Sequence, residues 1–307
     1  MKKVLLASTA LILSAGFAAA EVTVAGDGRM GIIDKDDAAG LSFTSRIRIS
    51  FAASGETDGG LTFGGSVRVD NYEKDQATNG LEGNVFVSGA FGKLSMGDVS
   101  GAAEAAVGDL SGVGLTGLDD HNELTYLLNI HDTDPLNPND DNRPSARYEY
   151  TMNDFTAYLS FDNPKGDNEG YGVAVKYAPS NYSISLGYEN TNDGVNALGV
   201  LDGSTADHII LGGTAAFGDA TVKAVYGKSD NRGTIDDDQY GLSLDYVFGA
   251  TTVSAFGIKQ FDGESDYGLG ARYDLGGGAA LVGGVVRDNR PGATDATKYD
   301  FGMSMTF

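Results

Sequence analysis

Apolar and polar residues alternate with a period of two along most of the chain, the pattern of a strand with one apolar face. At the C-terminus Tyr299, Phe301, Met303, Met305 and Phe307 alternate with Lys298, Asp300, Gly302, Ser304 and Thr306. Tyr240, Leu242, Leu244, Tyr246 and Phe248 alternate likewise with Gly241, Ser243, Asp245 and Val247, and Tyr182, Ile184, Leu186 and Tyr188 with Ser183, Ser185 and Gly187. Sixteen such segments follow one another, at about 22–31, 41–52, 61–70, 81–90, 92–97, 145–152, 155–162, 170–178, 181–189, 207–217, 219–227, 238–248, 250–258, 265–275, 278–287 and 298–307. Their links alternate in length. Short ones sit at Phe91-Gly92, Asn153-Asp154, Pro179-Ser180, Gly218, Gly249 and Gly276-Gly277, with a longer one at Ser54–Gly60. Long acidic ones lie at 32–40, 71–80, 98–144, 163–169, 190–206, 228–237, 259–264 and 288–297. An even strand count with tight turns at one end and long loops at the other predicts an all-β fold, a 16-stranded antiparallel transmembrane β-barrel. A soluble sandwich with Greek-key crossings has no reason to keep that parity.

Aromatic positions sharpen this reading. Tyrosines occupy both ends of outward sets, as in Tyr171/Tyr177, Tyr182/Tyr188, Tyr240/Tyr246 and Tyr267/Tyr273. Six residues rise roughly 20 Å along a strand, or about 14 Å vertically after a ~45° tilt, so such pairs mark two interfacial girdles. Of the 15 tyrosines, Tyr72 and Tyr126 fall in long loops and the rest lie at or after Tyr148. Strands one to five therefore present Val22, Val24, Leu41, Phe43, Ile47, Ile49, Leu61, Phe63 and Val67 outward without a tyrosine girdle. A flat apolar wall of this kind is expected to pack against another barrel in a closed rotational oligomer.

The first twenty residues form a separate piece: Lys2-Lys3, an apolar run Val4–Phe17, then Ala18-Ala19-Ala20 before Glu21. This reads as a cleaved secretory leader (1–20) followed by a single barrel domain at 21–307. The whole chain carries a net charge of −22, and loss of the leader's two lysines makes it −24. That sign excludes a nucleic-acid partner. With no cysteine, neither disulfides nor thiolate chemistry are available. The 45 glycines, about 15% of the chain, are roughly twice the usual ~7%.

The link at 98–144 is far longer than an ordinary connection and is expected to have a function. Its leucines (Leu110, Leu115, Leu118, Leu124, Leu127 and Leu128) would let this third long loop fold into the lumen, where its acids would face the pathway. Strand parity turns Arg29, Arg46, Arg48 and Arg68 inward from three consecutive strands. Guanidinium groups stay charged and cannot face lipid. Arginines opposite acids across a narrowing would set up a transverse field that sorts solutes by size and polarity.

At these residues the chain closely resembles the general diffusion porins of alphaproteobacteria, especially those of purple phototrophic bacteria. The matching stretches are GDGRMG at 26–31, SRIRISF at 45–51, SGAFGKLSMGD at 88–98, FGATTV at 248–253, YGLGARYDLGGGAALVGGV at 267–285 and the terminal Phe307. The resemblance implies a homotrimer in the outer membrane of a Gram-negative bacterium, in contact with lipid and lipopolysaccharide, each barrel passing ions and small polar solutes by passive diffusion. It implies an eyelet with Arg29, Arg46, Arg48 and Arg68 as the basic wall. Asp98, Glu104, Asp109, Asp119, Asp120 and Glu123 would be the acidic loop side. It also implies that Glu21 meets the carboxylate of Phe307 where the barrel closes. No cofactor is required. Calcium among loop acids is an option at Asp109, Asp119 and Asp120, since hard oxygen ligands suit it. The 131–142 segment HDTDPLNPNDDN, by contrast, lacks the order of an EF-hand loop.

Three other functions compete with a general channel. Catalysis would have to use His121, His131 or His208, yet no Gly-x-Ser-x-Gly or His-Glu-x-x-His motif occurs. A non-conducting barrel acting as an adhesin or structural protein predicts a plugged or electrically silent lumen, and the inward arginines argue against it only weakly, because plugged barrels also have polar interiors. A dedicated solute site would call for a ladder of inward aromatics, and only Phe86, Tyr158 and Phe256 qualify. The acidic excess implies a weak preference for cations, carried by charges within a ~8–10 Å screening length of the narrowing.

Overall fold

The computed structural model describes residues 21–71, 83–128, 145–162, 170–195, 201–230, 238–261, 263–289 and 294–307. Residues 1–20, expected above to be a leader, 129–144 of the long link, and Tyr72 lie outside the described residues. Sixteen strands close into one antiparallel barrel in simple neighbour order, β1 pairing with both β2 and β16. They are β1 (Glu21–Asp34), β2 (Ser42–Glu56), β3 (Thr62–Asp70), β4 (Gly83–Gly89), β5 (Gly92–Gly97), β6 (Ser145–Met152), β7 (Phe155–Phe161) and β8 (Gly170–Tyr177). The circuit continues with β9 (Tyr182–Val195), β10 (Leu201–Phe217), β11 (Ala220–Asp230), β12 (Asp238–Phe248), β13 (Thr251–Lys259), β14 (Ser265–Gly276), β15 (Ala279–Asp288) and β16 (Ala296–Thr306).

Every segment expected from the alternation is a strand; several run a few residues longer than expected, and β9 and β10 extend furthest. β9 and β10 continue their ladder to Val195 and back from Leu201, with irregular register between Leu201 and Ala206. The sequence Asn190-Thr191-Asn192-Asp193 has no apolar period to signal this extension, which backbone pairing carries, as between Asn190 and Asp207 and between Thr191 and Ala206.

The outward face is apolar as the pattern requires: in β12, Tyr240, Leu242, Leu244 and Tyr246 are exposed while Gln239 and Ser243 on the other face are buried. Rings gather at both ends of the wall. Phe155, Tyr177 and Tyr182 touch at the short-turn end, and Tyr171 faces Tyr188 at the long-loop end. At that second end phenols donate to rim carboxylates, Tyr226 to Asp238 at 2.6 Å and Tyr299 to Asp34 at 3.1 Å. Each ring thus keeps its apolar body outward and its hydroxyl satisfied. Gly218 and Gly249 make the tight turns at positive φ (64° and 62°), where nothing crowds a Cβ and backbone conformation alone favours glycine.

Closure differs from the expectation at one point. Phe307, not Glu21, sits at the seam: its N–H donates to Gly26 O at 2.9 Å and its carbonyl accepts from Gly26 N at 2.7 Å. Glu21 lies five residues further along β1, opposite Ser54 of β2. Glu21 is not at the β1–β16 seam because β1 extends past the end of β16, pairing there with β2 alone.

Candidate functional site

The largest buried apolar cluster lies on the inside of the wall. Ala103, Val107, Leu110, Val113, Leu118, Leu124 and Tyr126 of the long loop pack with inward residues Ile33, Ile210, Val225, Phe256, Ile258 and Val286. A stripe of inward glycines makes this seat. A Cβ at Gly187 would come 2.7 Å from that of Ala103, one at Gly241 2.5 Å from Leu110 Cδ1, and one at Gly284 2.5 Å from Gly114 N. Gly212, Gly270 and Gly302 sit equally close under Val107, Val113 and Leu115. The glycine excess of the sequence therefore has a spatial meaning, as it lets loop backbone lie against strand backbone.

Polar bonds fix the loop's course. The segment Ala102-Ala103-Glu104-Ala105-Ala106-Val107 forms a short helix, α1. Alanine's helix propensity favours it, although the sequence reading assigned no helix. Ala102 N–H donates to Ser160 Oγ of β7 at 2.9 Å, and Ser185 Oγ of β9 donates to Ala106 O at 2.7 Å. Lys223 Nζ of β11 donates to the carbonyls of Val107 and Asp109 at 2.5 and 2.7 Å, neutralising the end of α1. Ser111 Oγ donates to Asp245 at 2.5 Å. Asp300 of β16 accepts from Leu115 N–H at 2.8 Å and Thr116 N–H at 2.6 Å, and Arg29 donates to Thr116 O at 3.1 Å. The returning stretch is held by Gln239, which exchanges bonds with both N–H and C=O of Thr125, and by Glu189, which accepts from Leu127 N–H.

One cavity of about 570 Å³ lies between this loop and the first three strands, lined among others by Arg29, Arg46, Arg48, Arg68, Asp119 and Asp120. All four arginines singled out in the sequence thus meet two of the loop acids. Two further wall carboxylates, absent from the expected set, belong to this site. Asp27 receives Arg48 Nε at 3.1 Å on both oxygens and lies 3.9 Å from Arg46, while Asp70 lines the cavity. Both have the inward parity of the arginines, which was the available signal.

The remaining loop acids separate into different places. Asp98 stands at the end of β5, where its N–H donates to Gly83 O, and it does not line the cavity. Asp119 takes hydrogen bonds from Lys35 and from Lys298, the latter at 3.0 Å. Burial alone would raise its carboxyl, but the two ammonium partners outweigh this and hold it below the usual range. Asp109 accepts from Leu124 N–H at 2.9 Å and is pushed up by desolvation. Glu123 opens toward water yet is crowded by loop. Partial desolvation, followed by repulsion from Asp120, Asp109 and Glu104, raises its carboxyl to about 7.

Asp109, Asp119 and Asp120 are not gathered into a metal-ligating set. Among the described residues one group brings three or more His, Asp or Glu ligand atoms within 4.8 Å of one another: His121, Glu264, Asp266 and Asp288. No motif in the sequence marks the histidines, whose carboxylate partners lie outside their local sequence. His121 and His208 are buried, and each faces a carboxylate at 2.9 Å, Asp266 and Glu189 respectively.

This architecture has known counterparts. Residues 7–293 match the family model described as Gram-negative porin. The chain is 37% identical over 316 residues to a porin of Rhodobacter capsulatus, covering 94% of this chain and all of the relative. It is 28% identical over 306 residues to a porin of Fuscovulum blasticum, again covering 94% of this chain and all of the other. Among solved structures, a porin refined at 1.8 Å superposes with a TM-score of 0.77 at 34% identity, over 94% of this chain and 100% of that one. A mutant of the Rh. blastica porin shares the fold at a TM-score of 0.70 over 93% of this chain and all of that one. A closed sixteen-strand barrel with a charged interior, matched along nearly its whole length, belongs to the Gram-negative porin family and forms a diffusion channel in the outer membrane, not an enzyme.

Proposed function

We propose that the segment 98–144 narrows this channel, and that solutes pass between its Asp119–Asp120 corner and the wall of Arg29, Arg46, Arg48 and Arg68. The observation that carries the reading is their shared lining of one cavity. Charges of both signs facing each other across water orient a polar solute and penalise an apolar one, which would have to displace ordered water. Asp27 offsets part of the arginine charge, whereas Glu104, Asp109, Asp120 and Glu123 repel one another on the loop side. That balance supports a weak preference for cations.

The finer assignments follow from the same reading. Residues 1–20 act as the cleaved leader, and 21–307 form the barrel. The barrel assembles as a homotrimer through β1 to β5, whose outward face carries Phe43 at 94% exposure and no outward tyrosine. The girdled strands then meet lipid and lipopolysaccharide. Passive diffusion needs no cofactor, and calcium at Asp109, Asp119 and Asp120 would have to displace Lys35 and Lys298 from Asp119.

Swelling of protein-loaded liposomes in uncharged sugars of rising size tests the channel. Rates should fall smoothly with solute size and rise linearly with concentration. Absence of swelling, or saturation by one sugar, would contradict a general pore.

A further inference from the structure

The group around His121 has the geometry of a first-row divalent metal site, and we propose that it binds one Zn²⁺ per chain, stapling the loop to β14 and β15. His121 Nδ1 lies 2.9 Å from Asp266 Oδ2 and 3.4 Å from Glu264 Oε1. Zinc holds nitrogen and oxygen ligands at about 2.0–2.1 Å. Two ligands on such a sphere, at angles from octahedral to tetrahedral, stand about 2.9–3.4 Å apart, which both imidazole–carboxylate distances match, and the ligand atoms of the whole group lie within 4.8 Å of one another. Imidazole with two carboxylates suits zinc, whereas calcium takes six to eight oxygens.

Supporting contacts complete the site. Asp266 is fully buried, and its other oxygen accepts from Asn289 N–H at 3.2 Å, which aims Oδ2 at the imidazole. On the far side of the ring, Asp288 Oδ2 lies 3.5 Å from Nε2. Lys298 Nζ stands 2.6 Å from Nε2, 3.1 Å from Asp288 and 3.0 Å from Asp119. An ammonium only donates, so Nε2 accepts and the metal-free imidazole carries its proton on Nδ1. Zinc at Nδ1 requires the other tautomer. The proton then moves to Nε2 and is donated to Asp288, giving a carboxylate–histidine–metal arrangement, while Lys298 loses Nε2 as an acceptor, draws away from the ring and keeps Asp288 and Asp119 as partners. No net proton is released.

Charge favours the ion independently of distance. Glu264, Asp266 and Asp288 are all buried, and the nearby Lys298 is shared with Asp119. Three buried carboxylates around one imidazole suit a divalent cation, which a dry, acidic site attracts strongly.

The test is zinc uptake by the detergent-purified full barrel, in millimolar magnesium and calcium to occupy oxygen-only sites. Metal content is read after gel filtration and affinity by calorimetry. We expect one zinc per chain, lost in His121→Ala and at least tenfold weaker in Asp288→Asn. Glu264→Gln serves as a second ligand variant should His121→Ala fail to fold. No zinc on the wild type would overturn the proposal, as would wild-type affinity in His121→Ala or Glu264→Gln. Conductance is not read, so the result is independent of the channel's selectivity.

Discussion

Asp300 and Thr116 are bound twice, the carboxylate accepting the backbone N–H at 2.6 Å and the side-chain hydroxyl at 2.8 Å across 184 residues of chain. Asp300 also holds Leu115 N–H and is 4% exposed. Hydrogen bonds to a buried charged acceptor contribute about 1.5–3 kcal/mol each. Asp300→Ala should therefore loosen the loop at the arginine wall. Amide exchange at Leu115 and Thr116 is expected to accelerate at least tenfold, with noisier single-channel currents and an unchanged barrel. Native protection at both amides would refute the anchor.

The glycine seat predicts a steric counterpart. A Cβ at Gly284 would stand 2.5 Å from Gly114 N and 2.6 Å from its Cα, backbone that must shift. Gly284→Val should cost about 1–3 kcal/mol as overpacking and shift the loop's crosslinking pattern. Gly213→Val, whose nearest neighbour is 3.9 Å away, is the matched control and should be near neutral. Equal melting temperatures for the two variants would show that the loop is not seated there.

Glu123 gives the channel a pH response. Its carboxyl, raised to about 7 in the folded protein from an ordinary value of 4.5, is charged at pH 8 and mostly neutral at pH 6. Cation preference should fall over that interval, and Glu123→Gln should remove the change. The linkage sign is fixed by the raised value: between about pH 7 and 4.5 the folded chain binds a proton that the unfolded chain does not. This group therefore stabilises the fold as pH falls from 8 toward 5. A reversal potential flat from pH 8 to 6 would contradict the assignment.

The outward face of β1 to β5 predicts the assembly. Phe43→Glu with Phe63→Glu places charge at two exposed rings, Phe63 being 48% exposed, on the wall that lacks tyrosines. The double variant should migrate as a folded monomer in mild detergent, where the wild type migrates as a trimer. An intact trimer would move the interface elsewhere.

The barrel was legible because a wall with lipid outside and water inside writes a period of two into every strand, as in Tyr240 to Phe248. The arginine wall was legible for the same reason, since parity alone turned Arg29, Arg46, Arg48 and Arg68 to one side. The inner seat was harder to see, for it breaks that period. Ile209-Ile210-Leu211 and Val285-Val286 place apolar residues on both faces, and Ile210 and Val286 are fully buried beneath the loop. Such runs signal an apolar cover inside the barrel. Contacts that join distant segments, such as His121 with Asp266 or Asp119 with Lys298, leave no local spacing to read. Glu21 was misplaced because sequence does not tell how far β1 outruns β16.

The most direct test of the account is the current through single purified oligomers in a planar bilayer under a potassium chloride gradient. We predict steps that close in three equal sublevels, a reversal potential slightly favouring cations, and a stronger cation preference when Arg46 and Arg48 are both changed to Gln. A folded, inserted barrel that passes no current, or one whose reversal potential ignores Arg46 and Arg48, would contradict it.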